Sequence, residues 1–323
     1  MKVGMIGAGS IAGIMAGTIK EMDCAQNYAV AARDYGRAAE FAQKYGFEKA
    51  CGSYEELVED AGVELVYIAT PHSHHYEHIK LCLNHGKHVL CEKSFTVNES
   101  QAREVLELAR EKKLLLTEAI WTRYMPMRKT LDSVLSSGII GRPYMLTANL
   151  GYIISGKERI MRPELAGGAL LDVGIYPLNF ASMVFGDEVD TITGTAVMTE
   201  TGVDAQNSIT ITYKDGRMAV LCSSAMGLSD RRGIIYGDNG FIEVENINNC
   251  EGIRIYDRSR NMIASYDTPK QISGYEYEVE ACLRAIEEGA LECPEMPHEE
   301  TLRMMGWMDE LRRQWGLVYP MEK

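Results

Sequence analysis

The chain has 323 residues, enough for about two domains of roughly 150 residues each. With 46% hydrophobic and 24% charged residues it has a globular composition, which excludes disordered and fibrous classes. Its 33 basic and 46 acidic side chains give a formal charge of −13, so neither nucleic acid nor an anionic membrane, which need a basic footprint, is an expected partner.

Residues 3–6 form a short apolar run that ends at Gly7 and leads into a helical pattern reaching Met22. A second strand is expected over 28–32, after which Asp34 caps a helix that stops at Tyr45-Gly46. Ser53-x-x-Glu56 is a capping box that opens a short helix. Residues 65–69, 89–91 and 114–117 read as further strands, each separated from the next by one helical pattern. Gly86 sits at a C-terminal cap position and Asn98 at an N-cap position. Repeated βα units with short apolar strands predict a doubly wound parallel sheet covered by helices on both faces.

The pattern changes from about residue 140. Ser208, Thr210 and Thr212 alternate with Ile209, Ile211 and Tyr213, the mark of a half-buried antiparallel strand. Similar runs recur at 144–150, 191–199, 217–223, 234–236, 241–245 and 253–256, with hairpin signals at Asp215-Gly216 and Asn239-Gly240. Helical patterns at 170–185, 274–288 and 299–315 are expected to flank this sheet. The division predicted is an α/β domain over 1–120 and an α+β domain over 121–323.

The eight cysteines contain no CxxC pair, so no zinc or redox framework is legible, and they suit packing as small hydrophobes in a reducing cytosol. The uncharged stretch 3–19 is broken by five glycines and falls short of a membrane helix. A soluble, cytoplasmic protein is expected.

Gly7-Ala8-Gly9-Ser10-Ile11-Ala12 is a G-x-G-x-x-A turn lying between a strand and a helix. Gly7 permits the tight turn, Gly9 lets a pyrophosphate approach the backbone, and Ala12 keeps helix and sheet close. The helix N-terminus, with Ser10 and Ile11, then faces the phosphates. At the end of the second strand Arg33 and Arg37 favour NADP(H) over NAD(H), because two guanidiniums suit a 2′-phosphate. On the alternative reading Arg37 is solvated and Asp34 only caps its helix.

Ligands of open parallel sheets bind beyond the carboxyl ends of the strands. Three segments occupy such ends: Thr70-Pro71-His72, Glu92-Lys93-Ser94, and Glu118 to Arg123 with Trp121 between. All three are expected beside the nicotinamide. Lys93 could hydrogen-bond a substrate hydroxyl, or simply pair with Glu92. Asp172 and Tyr176 are spaced i, i+4 on one helix face, with Pro177 set to kink that helix. A tyrosine so placed can exchange a proton with a substrate oxygen, although such a pair can equally be a helix-face hydrogen bond.

This combination resembles the Gfo/Idh/MocA oxidoreductases over essentially the whole chain. The resemblance rests on the glycine turn, Thr70-Pro71-His72-Ser73-His74-His75, Glu92-Lys93 and the Asp172 to Tyr176 segment. It is closest to the branch of dimeric dihydrodiol dehydrogenases and NADP-dependent D-xylose dehydrogenases. The likeness implies a Rossmann domain joined to an open mixed, mostly antiparallel sheet, with hydride transfer at the junction and Lys93, Asp172 and Tyr176 around the reacting hydroxyl. It also implies cofactor-pocket roles for His72, His75 and the branch arginine Arg159, and a homodimer built on the open sheet face, where Ile209, Ile211 or Val197 would form an apolar patch.

Three positions depart from the pattern. Ser94 replaces the usual proline, Ala166-Gly167-Gly168 replaces a glycine triplet, and Arg162 falls where the branch often has Asp or Asn. His72, His74, His75 and His78 include helical pairs that could hold zinc, but no cysteine or carboxylate constellation joins them, and no metal is expected. Trp121 and Tyr152 are candidates for an aromatic wall against a sugar or ring, with core packing as the alternative. The expected function is NAD(P)-dependent oxidation or reduction of a secondary alcohol, ketone or lactol of a sugar, polyol or vicinal diol. The alternative is a non-catalytic dinucleotide-binding sensor, which would have no need of Lys93, Asp172 and Tyr176 together.

Overall fold

The computed structural model describes residues 1–323, and the chain divides into two compact units. The first comprises Met1–Tyr124 together with Gln271–Met305, and the second Met125–Lys270 together with Gly306–Lys323. A single cut at residue 120 therefore does not separate them. The helix Glu276–Glu287, expected beside the second sheet, belongs to the first unit. It buries Glu276, Glu278, Val279, Ala281, Cys282 and Ala285. The amphipathic spacing identified the helix, but spacing does not say which apolar surface a helix will cover.

Six parallel strands form the first sheet: β1 (Lys2–Ile6), β2 (Gln26–Ala31), β3 (Lys49–Cys51), β4 (Leu65–Ile68), β5 (His88–Glu92) and β6 (Leu116–Ala119). Their order is β3-β2-β1-β4-β5-β6, a doubly wound sheet whose direction reverses between β1 and β4. Val3, Met5, Ile6 and all of Leu65–Ile68 are buried, which is why these strands read as unbroken apolar runs. Burial of each such side chain contributes about 1.5–3 kcal/mol. The three-residue β3 carries only Lys-Ala-Cys and had no legible signal.

Three helices of the first unit open on the caps the sequence marks, whereas the helix Pro126–Ser136 opens without a side-chain cap and is not among the expected elements. Asp34 accepts the Arg37 amide at 2.8 Å, Ser53 the Glu56 amide at 3.1 Å and Asn98 the Gln101 amide at 2.9 Å. The outer edge of β6 is covered within the same unit. The Leu116 amide donates to the Leu291 carbonyl, and His298 Nε2 lies 2.8 Å from the Leu116 carbonyl oxygen.

Eight strands form the second sheet: β7 (Pro143–Gly151), β8 (Val189–Met198), β9 (Asp204–Tyr213), β10 (Met218–Ser224), β11 (Gly233–Gly237), β12 (Gly240–Glu245), β13 (Gly252–Asp257) and β14 (Met262–Asp267). Their order is β14-β13-β12-β11-β7-β10-β9-β8, antiparallel throughout except for the parallel β7–β10 pair. Along β9 the two faces separate cleanly. Ile209, Ile211 and Tyr213 are buried on one side, while Gln206 and Ser208 are exposed on the other. The expectation that Ile209 and Ile211 sit on the open face is thus corrected, because the apolar half of a period-two strand turns toward its own core. Val197 does lie on an exposed surface, at 57%. The open face mixes hydroxyl and amide groups with apolar ones: Val197 and Val220 stand among Thr195, Gln206 and Ser208, and Tyr236, Phe241 and Tyr256 follow across β11–β13. A groove of about 430 Å³ is lined by Thr195, Val197, Gln206, Ser208, Cys222 and Ser224 among others.

The stretch Pro163–Phe185 has the length and apolarity of a membrane span, yet 94% of its apolar window is buried inside the protein. It begins its main run with one π-helical turn, Leu170–Gly174, and continues as the α-helix Ile175–Phe185. Pro177 has no amide to return to Val173, so the wider turn falls where the kink was expected.

Candidate active site

In the first unit the glycine turn occupies the point where strand order reverses. Gly7 holds φ at +106°, and a Cβ there would come within 2.8 Å of the Ala69 carbonyl oxygen, so only glycine lets β1 and β4 approach at this level. Nothing lies within 4 Å of a Cβ built on Gly9, which caps the helix Ser10–Lys20 without any side-chain hydrogen bond. The first amides of an 11-residue helix, at Ser10 and Ile11, therefore have no capping side chain. Such a cradle fits a dinucleotide pyrophosphate.

Arg33, Asp34 and Arg37 are all exposed at the end of β2. Arg37 Nη2 donates to the Ala8 carbonyl at 3.0 Å, tying this cluster to the glycine turn. Both guanidiniums act on the Tyr54 phenol. They pull its pKa down, while burial, the larger effect, pushes it up. Tyr54 packs edge-on against His78, whose Nδ1 lies 3.0 Å from Thr70 Oγ1. Tyr54 and His78 thus neighbour the arginine cluster, a relationship that no local sequence pattern discloses.

The turn after β5 carries Lys93, and its Lys93–Ser94 peptide is cis although residue 94 is not proline. His75 is fully buried, with Nδ1 2.8 Å from the Ser94 carbonyl and Nε2 2.8 Å from the Thr70 carbonyl. Burial pushes its pKa down to about 4, against the pull of those carbonyls. His75 thus ties the turns after β4 and β5 to each other and presents no ring nitrogen to a cofactor, a correction to its expected role. His72 is also buried, while Thr70 and Pro71 are partly exposed. No three His, Cys, Asp or Glu side chains converge as metal ligands.

Glu92 accepts a hydrogen bond from the buried Tyr67 hydroxyl. Arg123, expected at the cofactor, is instead a buried ion-pair partner of Glu300, which also pairs with Arg303. Trp121 stacks on Tyr275 with ring centroids 4.2 Å apart and planes 14° from parallel. Tyr275 lies more than 150 residues further along the chain, so no local pattern could have paired the two.

In the second unit Asp172 is buried and forms a salt bridge to Arg159, Nη1 to Oδ1, at 2.7 Å. Arg159, expected to touch cofactor, serves here to hold that carboxylate. The turn leading to Asp172 is pinned from both sides. Buried Asp204 accepts the Leu170 amide at 2.8 Å, and the Tyr319 hydroxyl donates to the Gly167 carbonyl at 2.6 Å. At Gly168, where φ is +110°, a Cβ would stand 2.2 Å from Asp204 Oδ1, which explains glycine at that position. Tyr176 is buried in the first turn of the α-helix that follows. Tyr152 is half-buried, and its hydroxyl accepts from Asn248 Nδ2 at 3.0 Å. Arg162 pairs with Glu158 at 2.5 Å and Glu164 at 3.4 Å on the surface.

Comparison with known proteins gives the same assignment from both parts of the chain. Residues 1–120 match a profile described as the Gfo/Idh/MocA oxidoreductase family, NAD-binding Rossmann fold, and residues 129–243 match the Gfo/Idh/MocA C-terminal domain. The chain is 36% identical to human trans-1,2-dihydrobenzene-1,2-diol dehydrogenase over 305 residues, covering 92% of this chain and 91% of the relative. It is 32% identical to the Danio rerio protein of that name over 327 residues, 99% and 98% of the two chains. In fold it resembles KijD10, a 3-ketoreductase from Actinomadura kijaniata solved with NADP and TDP-benzene, with a TM-score of 0.90, 24% identity and 98% coverage of both chains. It also resembles an aldose-aldose oxidoreductase from Caulobacter crescentus, with a TM-score of 0.88, 18% identity and 97% coverage of both.

Proposed function

Because the chain belongs to the Gfo/Idh/MocA family of NAD(P)-binding oxidoreductases, we propose that it transfers a hydride to or from a secondary alcohol carbon of a sugar, polyol or vicinal diol, with NADP(H) preferred. The observation that carries this reading is the uncapped helix N-terminus beside Gly7 and Gly9 at the reversal point of the parallel sheet. The dehydrogenase and ketoreductase relatives support the substrate class, and Arg33 and Arg37 support the choice of cofactor.

When bound, the nicotinamide supplies the hydride acceptor or donor. The backbone amides of Ser10 and Ile11 take the pyrophosphate, and the exposed guanidiniums of Arg33 and Arg37 take a 2′-phosphate. We assign Lys93, Asp172 and Tyr176 to the reacting hydroxyl. In the oxidation direction the Lys93 ammonium donates to the substrate oxygen and stabilises the charge that develops as its proton leaves. Tyr176 Oη exchanges that proton. Asp172, fixed by Arg159, orients the hydroxyl. Trp121, set by Tyr275, and Tyr152 supply flat apolar surface against a ring. We assign the open face of the second sheet to a second copy of the chain.

The test is turnover of NADPH and NADH, and of their oxidised forms, against a panel of keto-sugars, aldoses, polyols and trans-diols. Saturable turnover with at least one class, faster with the phosphorylated cofactor, is the expected result. Tight nicotinamide binding with no turnover on any class would sink the catalytic reading.

A further inference from the structure

Glu118 is the penultimate residue of β6, beside Cys91 in the register with β5, and is 1% exposed. The Phe95 amide donates to its Oε1 at 3.1 Å, and the Thr301 hydroxyl supports the same carboxyl. Its other oxygen, Oε2, is buried and has no hydrogen-bond partner. Phe95 stands two residues after Lys93 in a turn whose Ser94 carbonyl lies against His75. Buried groups hold the turn at its Ser94 carbonyl, at its Phe95 amide, and through a long contact from Cys91 Sγ to the Phe95 carbonyl at 3.9 Å. Of the two ionisable side chains at the closer points, Glu118 holds the only amide tie.

We propose that Glu118 is a positioning residue for Lys93: its carboxylate, by accepting the Phe95 amide, holds the Lys93–Ser94–Phe95 turn in the form that handles the substrate proton. This rests on the reading that Lys93 does so.

The groups facing Glu118 are Glu92 and the Cys91 thiol from β5, the Arg123 guanidinium from the turn after β6, and the Thr301 hydroxyl from the helix His298–Trp315. Burial raises the carboxyl to about 7, Glu92 adds to the rise, and Thr301, the Phe95 amide and Arg123 oppose it. An ionised acceptor forms the stronger, charge-assisted bond, so protonation slackens the turn. Activity then rises with pH through that midpoint. A buried oxygen without a partner gives the proton a place to sit without displacing the Phe95 amide from Oε1.

Two readouts test this on the full-length enzyme. The first is kcat from about pH 5.5 to about pH 8.5 for wild type, Glu118→Gln and Glu118→Leu. The second is the Phe95 amide resonance over the same range, which needs no turnover. Wild type is expected to show an acid limb in kcat and a Phe95 shift with a shared midpoint, both lost in Glu118→Gln, whose carboxamide still accepts the amide but does not titrate. Glu118→Leu, which removes the acceptor, is expected to lower kcat about 10²-fold while leaving cofactor affinity within a few-fold. An acid limb retained in Glu118→Gln, or a Phe95 resonance that does not titrate in wild type, overturns the proposal. Should no substrate turn over at all, the oxidoreductase reading fails. The amide titration and its loss in Glu118→Gln then decide alone whether Glu118 holds the turn.

Discussion

Arg37 reaches back 29 residues to donate to the carbonyl of Ala8, so the helix after β2 is fastened to the glycine turn after β1. Arg33 has no such duty and stands exposed at the strand end. The two arginines should therefore behave differently on removal. Arg33→Ala is expected to raise KM for NADPH about tenfold, the lower end for a lost charge-assisted hydrogen bond, with NADH kinetics nearly unchanged. Arg37→Ala should weaken both cofactors, because it also frees the turn. Steady-state kinetics with each cofactor separate these outcomes. A wild-type preference for NADH that Asp34→Ala abolishes would instead make Asp34 the ribose ligand.

Lys93→Met is expected to lower kcat by roughly 10²–10⁴ without loss of fold, and Tyr176→Phe by a similar factor. Cofactor titration by fluorescence should give near wild-type affinity for Tyr176→Phe. Near-normal turnover of the lysine variant removes Lys93 from the mechanism. A parallel loss of NADPH binding in the tyrosine variant would make Tyr176 a support of the pocket and not a proton carrier.

Protonation of His75 should destabilise the fold. The folded ring is held down to about 4, below the ordinary 6.5 of an unfolded histidine, so between those values the unfolded chain binds the extra proton. Stability is lost as pH falls through this window, by up to about 3 kcal/mol at about 1.4 kcal/mol per pH unit. Half-buried His78, also at about 4, adds the same sign, whereas Glu118 and Asp204, raised to about 7 and about 6, act in the opposite direction. The informative quantity is the difference between variants. Denaturant unfolding of His75→Gln at neutral and mildly acid pH should show a shallower acid loss than wild type, and equal slopes would refute the assignment.

The open face of the second sheet should pair two copies. Thr195, Ser208 and Cys222 lie side by side in β8, β9 and β10 and line the groove on that face. Sedimentation velocity at micromolar concentration should report a dimer, and Ser208→Arg, which puts a long cation in the middle of that face, should yield monomer. A wild-type monomer under these conditions sinks the idea.

Much of the fold was legible because its signals are local. The apolar runs of β1 and β4, the alternation of β9, and the caps Asp34, Ser53 and Asn98 each act within a few residues, where propensity and hydrogen bonding decide. The glycine turn was legible for the same reason. What sequence did not disclose is held by contacts far apart in the chain. Trp121 meets Tyr275, Arg123 meets Glu300, and the Leu170 amide meets Asp204 across separations that no periodicity encodes. The misplaced roles share that cause. Arg123 is expected at the cofactor because it follows a strand end and His75 because it falls on the family pattern, yet burial directs both toward carboxylate or carbonyl partners within the protein.

The split composition of the first unit sets a timetable for the nascent chain. Its sheet is translated within the first 119 residues, but the backbone partner of Leu116 is Leu291, and the groups that engage Arg123 and Glu118 are Glu300 and Thr301. All of these leave the ribosome only after the whole stretch 125–270 has been made. Until then the edge strand exposes bare amides and carbonyls, and a buried arginine and a buried glutamate lack their counter-groups. The half whose synthesis begins first stays incomplete until residues 271–305 have followed, and a fragment ending near residue 120 would be released in that same unfinished state.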